Sequence, residues 1–131
     1  PEYCAERASR ILNRDKKALN GSKILALGVA YKQDINDYRE SPAIKVINIL
    51  EDCGAAVDFY DPLITEYDYK GKTHEGLQQV TPEVIQGYDL VIITTAHTDV
   101  DYDMVASNAD WVFDTKNVMK DVVNRDNIIL L

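Results

Sequence analysis

The stretch Lys23-Ile24-Leu25-Ala26-Leu27-Gly28-Val29-Ala30-Tyr31-Lys32-Gln33-Asp34-Ile35-Asn36-Asp37-Tyr38-Arg39-Glu40-Ser41-Pro42 decides the fold. Its first five residues form a short apolar run bounded by Gly21 and Gly28, the pattern of a buried strand. After Pro42 the apolar residues change to helical spacing. Ala43, Ile44, Val46, Ile47, Ile49 and Leu50 make a wide apolar face, and Lys45, Asn48 and Glu51 take a narrow polar stripe, so a helix is predicted from Pro42 to about Cys53, ending at Gly54. Ser41 suits the N-cap because its hydroxyl can accept from an orphaned amide, and Pro42 suits the first helical position because it has no N–H to leave unpaired. A strand, a long polar loop and a helix start form the place where an open α/β sheet binds its ligand. The exposed amides of that helix favour an anion, and the loop before it brings two cations, Lys32 and Arg39, which are expected to converge there on a diphosphate.

Working outward, residues 2–19 carry Cys4, Ala8, Ile11, Leu12 and Leu19 at three- and four-residue spacing and are predicted to be helical, with Asn20-Gly21 as the stop. Ala56-Val57-Asp58-Phe59-Tyr60 alternates and closes at Asp61-Pro62, so a second strand follows the helix and a right-handed βαβ unit results. Residues 63–76 are polar and tyrosine-rich without a period and are expected to be loop or a short irregular insertion. A short strand is expected over 77–80. Thr81-Pro82-Glu83 carries the cap signature of a short helix to about Gln86. Leu90-Val91-Ile92-Ile93 centres a buried strand over 89–94, a helix is expected over 102–107, and strands over 111–114 and 127–131. The fold class is therefore α/β: a Rossmann-like three-layer open sheet of five or six mostly parallel strands with helices on both faces, preceded by a helix.

Among 131 residues, 22 acidic against 14 basic side chains leave a net charge of −8. That balance opposes general affinity for nucleic acid or an anionic membrane surface. No run has the length of a membrane span and no signal peptide is visible, so a soluble cytoplasmic protein is expected. Cys4 and Cys53 have neither metal-ligand nor redox spacing and are expected to be core or half-buried thiols in a reducing compartment. A chain opening at Pro1, with no initiator Met and no loop before its first helix, looks like part of something longer.

Three loops at strand carboxyl ends can reach one crevice, carrying Tyr31, Lys32 and Arg39, then His97, then Lys116. Lys32 and Arg39 stand open between a binding pair and solvated charges paired with Asp34, Asp37 or Glu40. Lys116 is more simply a solvated charge, and His97 a hydrogen-bonded structural residue with a site role as the alternative. Tyr31 suits either a core position or stacking on a flat base. His74 is expected to be inert, and Asp34 with Asp37 lacks a third ligand for a metal. One glycine after the first strand does not make a dinucleotide fingerprint, and no Walker loop is present. No thiol or hydroxyl stands beside a histidine in a nucleophilic arrangement, so these residues point to a binding half-site without a catalytic constellation. A flavodoxin-like phosphoacceptor module using Thr94 or Thr95 with Lys116 is the competing class, weakened because Gly28-Val29-Ala30 stands where adjacent acids belong. A stand-alone interaction domain is the third.

At Leu27-Gly28-Val29-Ala30-Tyr31-Lys32-Gln33-Asp34, with Asp37-Tyr38-Arg39-Glu40-Ser41-Pro42-Ala43, the chain resembles the C-terminal UDP-binding domain of the UDP-glucose/GDP-mannose dehydrogenase family. Gly54-Ala55-Ala56-Val57, Tyr60-Asp61-Pro62, Tyr88-Asp89-Leu90-Val91 and Phe113-Asp114-Thr115-Lys116-Asn117 agree in order, and the wording is closer to the UDP-N-acetylhexosamine (glucosamine or mannosamine) 6-dehydrogenases than to the UDP-glucose enzymes. Pro1-Glu2-Tyr3 resembles the end of the helix joining that family's central and C-terminal domains, which would make residues 1–20 a connector and 21–131 the nucleotide-sugar-binding domain. The resemblance implies oxidation of a nucleotide sugar at C6 to a carboxylate in two NAD-dependent steps through a cysteine-bound thioester. It implies contacts from Tyr31 and Lys32 to the UDP-sugar, and from Arg39 to an NAD held mostly by another domain. Lys116 stands where the family has a substrate-binding arginine, a departure that removes a bidentate fork. The catalytic cysteine and glycine-rich NAD site would lie in N-terminal and central domains that this chain lacks, within a homo-oligomer, and the chain alone would not turn over substrate.

Overall fold

The computed structural model describes residues 2–123 and 125–131. Five strands, β1 (Lys23–Leu27), β2 (Ala56–Tyr60), β5 (Leu90–Ile93), β6 (Val112–Asp114) and β7 (Ile128–Leu130), form one sheet in the order β2-β1-β5-β6-β7. Every pairing in it is parallel. Parallel strands need crossovers, and the crossovers lay helices on both faces. The helices α1 (Glu2–Asn13) and α2 (Pro42–Asp52) cover one face, where Ala8, Ile11, Leu12 and Leu50 meet Ile24, Leu90, Ile92 and Phe113. On the other face α3 (Pro82–Gln86) and α4 (Tyr102–Asn108) cover Leu25, Leu27, Val91 and Ile93 with Ile85, Val105 and Ala106. Alternate residues of β1 and β5 thus point into different clusters, which is why both strands read as continuous apolar runs.

The chain runs from β1 to β2 on one side and then crosses to β5 on the other. The carboxyl ends of β1 and β5 form the switch point, where the chain turns after one strand to α2 on one face and after the other to α4 on the opposite face, the place where a crevice forms.

Five sequence expectations need correction. Residues 63–76 are not loop: β3 (Glu66–Tyr69) and β4 (Lys72–Glu75) form an antiparallel hairpin. Its two-residue turn, Lys70-Gly71, has φ of 51° and 78°, the mirror-image turn that fits strand twist. Buried Tyr67 anchors the hairpin on Phe59 at a centroid distance of 5.0 Å, and His74 stacks on Tyr67 at 4.8 Å. Residues 77–80 form no strand; the Leu77 amide makes one bond to the Phe59 carbonyl, 2.9 Å, and the chain then enters α3. The first helix ends at Asn13 rather than near Leu19. Lys16 turns left-handed (φ 60°) and the Lys17 amide reaches back to the Leu12 carbonyl, 3.1 Å, a Schellman-type stop, so Leu19 returns to the core from outside the helix. Pro1, read with Glu2 and Tyr3 as resembling the end of an inter-domain helix, lies outside the described residues. Ser41 occupies the N-cap of α2 but makes no side-chain cap bond; its hydroxyl donates to the Ala30 carbonyl at 3.3 Å. Lastly, Cys4 is half-buried as expected, whereas Cys53 is exposed.

Candidate functional site

Gly28 ends β1 with φ of 94°, and a Cβ there would sit 2.5 Å from the Thr95 Cβ and 2.8 Å from the Thr95 backbone N and O. Only glycine lets the loops after β1 and β5 come this close. The two threonines then stitch them together: the Thr94 hydroxyl donates to the Leu27 and Gly28 carbonyls, and the Thr95 hydroxyl donates to the Ala30 carbonyl at 2.9 Å. Both hydroxyls are spent on backbone carbonyls inside the fold, an arrangement that removes them as exposed phosphoacceptors. The β1 loop closes on itself through the Tyr31 amide and the Asp37 carbonyl, 2.7 Å.

Between these loops and the first residue of α2 lies a cleft of about 350 Å³, lined by Ala30, Tyr31, Lys32, Gln33, Pro42, Thr94, Thr95, Ala96 and Lys116. It joins three of the five residues singled out from the sequence, Tyr31, Lys32 and Lys116. Tyr31 is 48 % exposed at its mouth, not a core aromatic. Lys32 lies over the Tyr31 ring, its Nζ 5.8 Å from the centroid. Lys116 comes from the turn after β6, which the buried Asp114 carboxylate holds by accepting the amides of Lys116 (3.0 Å), Val118 (3.3 Å) and Met119 (2.9 Å). Among the described residues neither Lys32 nor Lys116 has an ion-pair partner. In a chain of net charge −8, two ammonium groups without ion-pair partners among the described residues line one cleft beside a helix N-terminus and make it locally positive.

Arg39 does not line this cleft. It lies one recess away, beside Tyr31, Asp37 and Glu40. Its guanidinium forms a fork on Asp37, Nε to Oδ1 and Nη2 to Oδ2, both 3.0 Å. The fork holds the Asp37 carboxyl below the usual carboxylate range. The second cation of the cleft is thus Lys116, and the expected convergence of Lys32 with Arg39 on one anion is corrected. Arg39 is paired with Asp37, one of the partners the sequence offered, whereas Lys32 has no ion pair among the described residues.

His97 is 1 % exposed and does not face the cleft. Its Nδ1 accepts from the Asp34 amide at 2.9 Å and its Nε2 lies 2.8 Å from Asp61 Oδ2. Asp61, at the end of β2, was not singled out from the sequence, where Asp61-Pro62 marks only a turn. Buried, it accepts the amides of Val29 (2.9 Å), Leu63 (2.8 Å) and Ile64 (3.1 Å). The Thr98 amide, then its hydroxyl, donate to the Asp34 carboxylate and hold its carboxyl below the usual range. Asp34 and Asp37 therefore serve different partners, and among the described residues no cluster of three or more His, Cys, Asp or Glu could hold a metal. No described helix is long and apolar enough to cross a membrane.

The all-parallel open sheet and its cationic switch-point cleft place the protein in the class of Rossmann-like α/β domains. Within that class the chain belongs to the UDP-glucose/GDP-mannose dehydrogenase family: the family's UDP binding domain matches residues 25–121. It is 32 % identical over 113 residues to a UDP-N-acetyl-D-mannosamine dehydrogenase of Methanococcus maripaludis, a match covering 80 % of this chain and 25 % of that protein. It is 30 % identical over 127 residues to the UDP-glucose 6-dehydrogenase of Rickettsia bellii, covering 92 % of this chain and 29 % of that one. The fold superposes on the UDP-D-ManNAc dehydrogenase of Pyrococcus horikoshii with a TM-score of 0.77 at 24 % identity, over 99 % of this chain and 29 % of that structure. The chain thus spans between a quarter and a third of the length of these relatives.

Proposed function

We propose that this chain is the C-terminal, UDP-sugar-binding domain of a nucleotide-sugar 6-dehydrogenase that oxidises a C6 hydroxyl to a carboxylate with two NAD, closest to the UDP-N-acetylhexosamine enzymes. The observation that carries this reading is the pair of unpaired lysines, Lys32 and Lys116, at the mouth of the switch-point cleft beside the first turn of α2. A diphosphate supplies the charge they lack, and the exposed Tyr31 ring is available to a flat base beside it. With Lys116 in place of an arginine, that contact is a single point charge rather than a fork.

The NAD pyrophosphate does not fit this chain. In a dinucleotide cradle a glycine clears space for the ligand, whereas the space at Gly28 is filled by Thr95. NAD would be held by N-terminal and central domains, with Arg39, outside the cleft, as this chain's contribution. In that arrangement residues 1–20 end the connector and 21–131 form the binding domain, the oxidising cysteine lies elsewhere, the chain alone is inactive, and the whole enzyme is a cytoplasmic homo-oligomer.

Titration of the chain with UDP, followed by amide chemical shifts, tests the reading. Shifts are expected at residues 30–33, at Thr95 and Ala96, and at Lys116. Lys32→Ala should weaken binding about 5- to 30-fold, the range of one charge-assisted contact at a partly wet site, and flatten its salt dependence. Shifts confined to another face, or an unchanged affinity in Lys32→Ala, refute the assignment.

A further inference from the structure

His97 is built into the fold as a bridge between two loops that the binding reading leaves unexplained. A backbone amide can only donate, so the Asp34 N–H at 2.9 Å requires a lone pair on His97 Nδ1. The ring hydrogen then sits on Nε2, where Asp61 Oδ2 accepts it at 2.8 Å. Asp61 enforces that choice, because its other partners are three backbone amides and it has only acceptors to offer. The opposite tautomer would set two N–H groups against each other at Asp34 and two acceptors against each other at Asp61.

The held amide belongs to a residue that needs holding. Asp34 has φ of 59°, a left-handed conformation costly for a residue with a side chain, and lies two positions after Lys32. Its carboxylate is fixed by Thr98, the residue after His97, whose amide donates at 2.7 Å. The Tyr102 hydroxyl donates to the His97 carbonyl at 2.7 Å and ties the same turn to α4. Residues 97 and 98 thus grip Asp34 on its amide and on its carboxylate.

We propose that His97 is a positioning residue of the cleft: as the neutral Nε2–H tautomer selected by Asp61, it fixes the Asp34 amide and so the path of the loop that presents Lys32 to a nucleoside diphosphate. The diphosphate part rests on the binding reading above; the clamp itself does not. The ring's tautomer, read from its nitrogen shifts, and the hydrogen exchange of the Asp34 amide test the clamp in the chain without ligand. His97→Asn and His97→Gln then separate positioning from packing. The Asn carbonyl replaces Nδ1 as acceptor for the Asp34 amide, whereas the Gln amide reaches Asp61 and leaves Asp34 unbonded.

Both variants lose the ring, so a purely structural role would lower their thermal midpoints and their UDP affinities together. Positioning predicts that His97→Asn keeps slow Asp34 exchange and near-native UDP affinity, while His97→Gln loses the protection and binds UDP about tenfold more weakly, the scale of one lost contact to a charged ligand. An Nδ1–H tautomer, fast Asp34 exchange in the native chain, or equal affinities in the two variants overturns the proposal. If the native chain ignores UDP while the tautomer and exchange results hold, the binding reading has failed and the clamp has not.

Discussion

Replacing Gly28 by alanine probes the close approach of the loops after β1 and β5. The new Cβ would lie 2.5 Å from the Thr95 Cβ and 2.8 Å from Thr95 backbone atoms, where carbon contacts settle at about 3.5–4.0 Å. The loops must therefore part by about 1 Å, against the Thr94 and Thr95 bonds that join them. Overpacking of this kind costs about 1–3 kcal/mol, and a side chain at φ of 94° adds about 1–2 kcal/mol. The sum is about 2–5 kcal/mol, a fall in Tm of roughly 10–20 °C for a domain of this size. Gly71→Ala supplies the control, since its φ of 78° carries the conformational cost with nothing within 4 Å of the new atom. Urea unfolding of both variants isolates the contact, with an expected excess of about 1–3 kcal/mol for Gly28→Ala. Equal losses in the two variants would refute the claim that Thr95 leaves no room at the switch point.

Two further substitutions test the buried and half-buried carboxylates. Asp61→Asn places an amide NH₂ against two N–H donors whichever way it is turned, since each carboxylate oxygen accepts two. A loss of about 2–4 kcal/mol in urea unfolding is expected, with faster exchange of the Asp34 amide; a loss under about 1 kcal/mol contradicts the network. At the opposite end of the sheet Asp89 joins the Lys17 ammonium (2.7 Å) to the Lys23 amide (2.8 Å). Partial burial resists its ionisation, but the Lys17 and Lys23 bonds outweigh that and lower its pKa. A carboxylate lowered on folding stabilises above its unfolded pKa, about 3.9, and that stability is lost as pH falls through the lower folded value. Asp89→Asn should therefore be less stable than the native chain at pH 6, with a gap that closes progressively below pH about 4; thermal melts across that range decide it.

Local spacing made the sheet and its helices legible. β1 matches the apolar run Lys23–Leu27, and α2 begins at the proline after Ser41, because a buried strand and an amphipathic helix each write their period into adjacent residues. The hairpin 66–75 escaped because its turn is Lys70-Gly71 rather than a common turn pair and because Tyr67 alone among its residues is buried. The family was legible too, in the wording from Leu27 to Ala43. The partners of the charged residues were not. Lys32, Arg39 and Lys116 look alike as loop cations, yet Arg39 is neutralised by Asp37 two residues away while the lysines share a cleft across 84 positions.

What the sequence determined by itself is the succession of the five strands of the parallel sheet and of the helices between them, the burial of β1 and β5, and a helix N-terminus following a cationic loop, all properties of neighbours along the chain. The tertiary structure alone decided which cations meet and what holds them, since Asp61, His97 and Asp34 come together only when β2 and β5 flank β1. Hydrogen bonds across such distances depend on strand order and register, and no period within a segment encodes them.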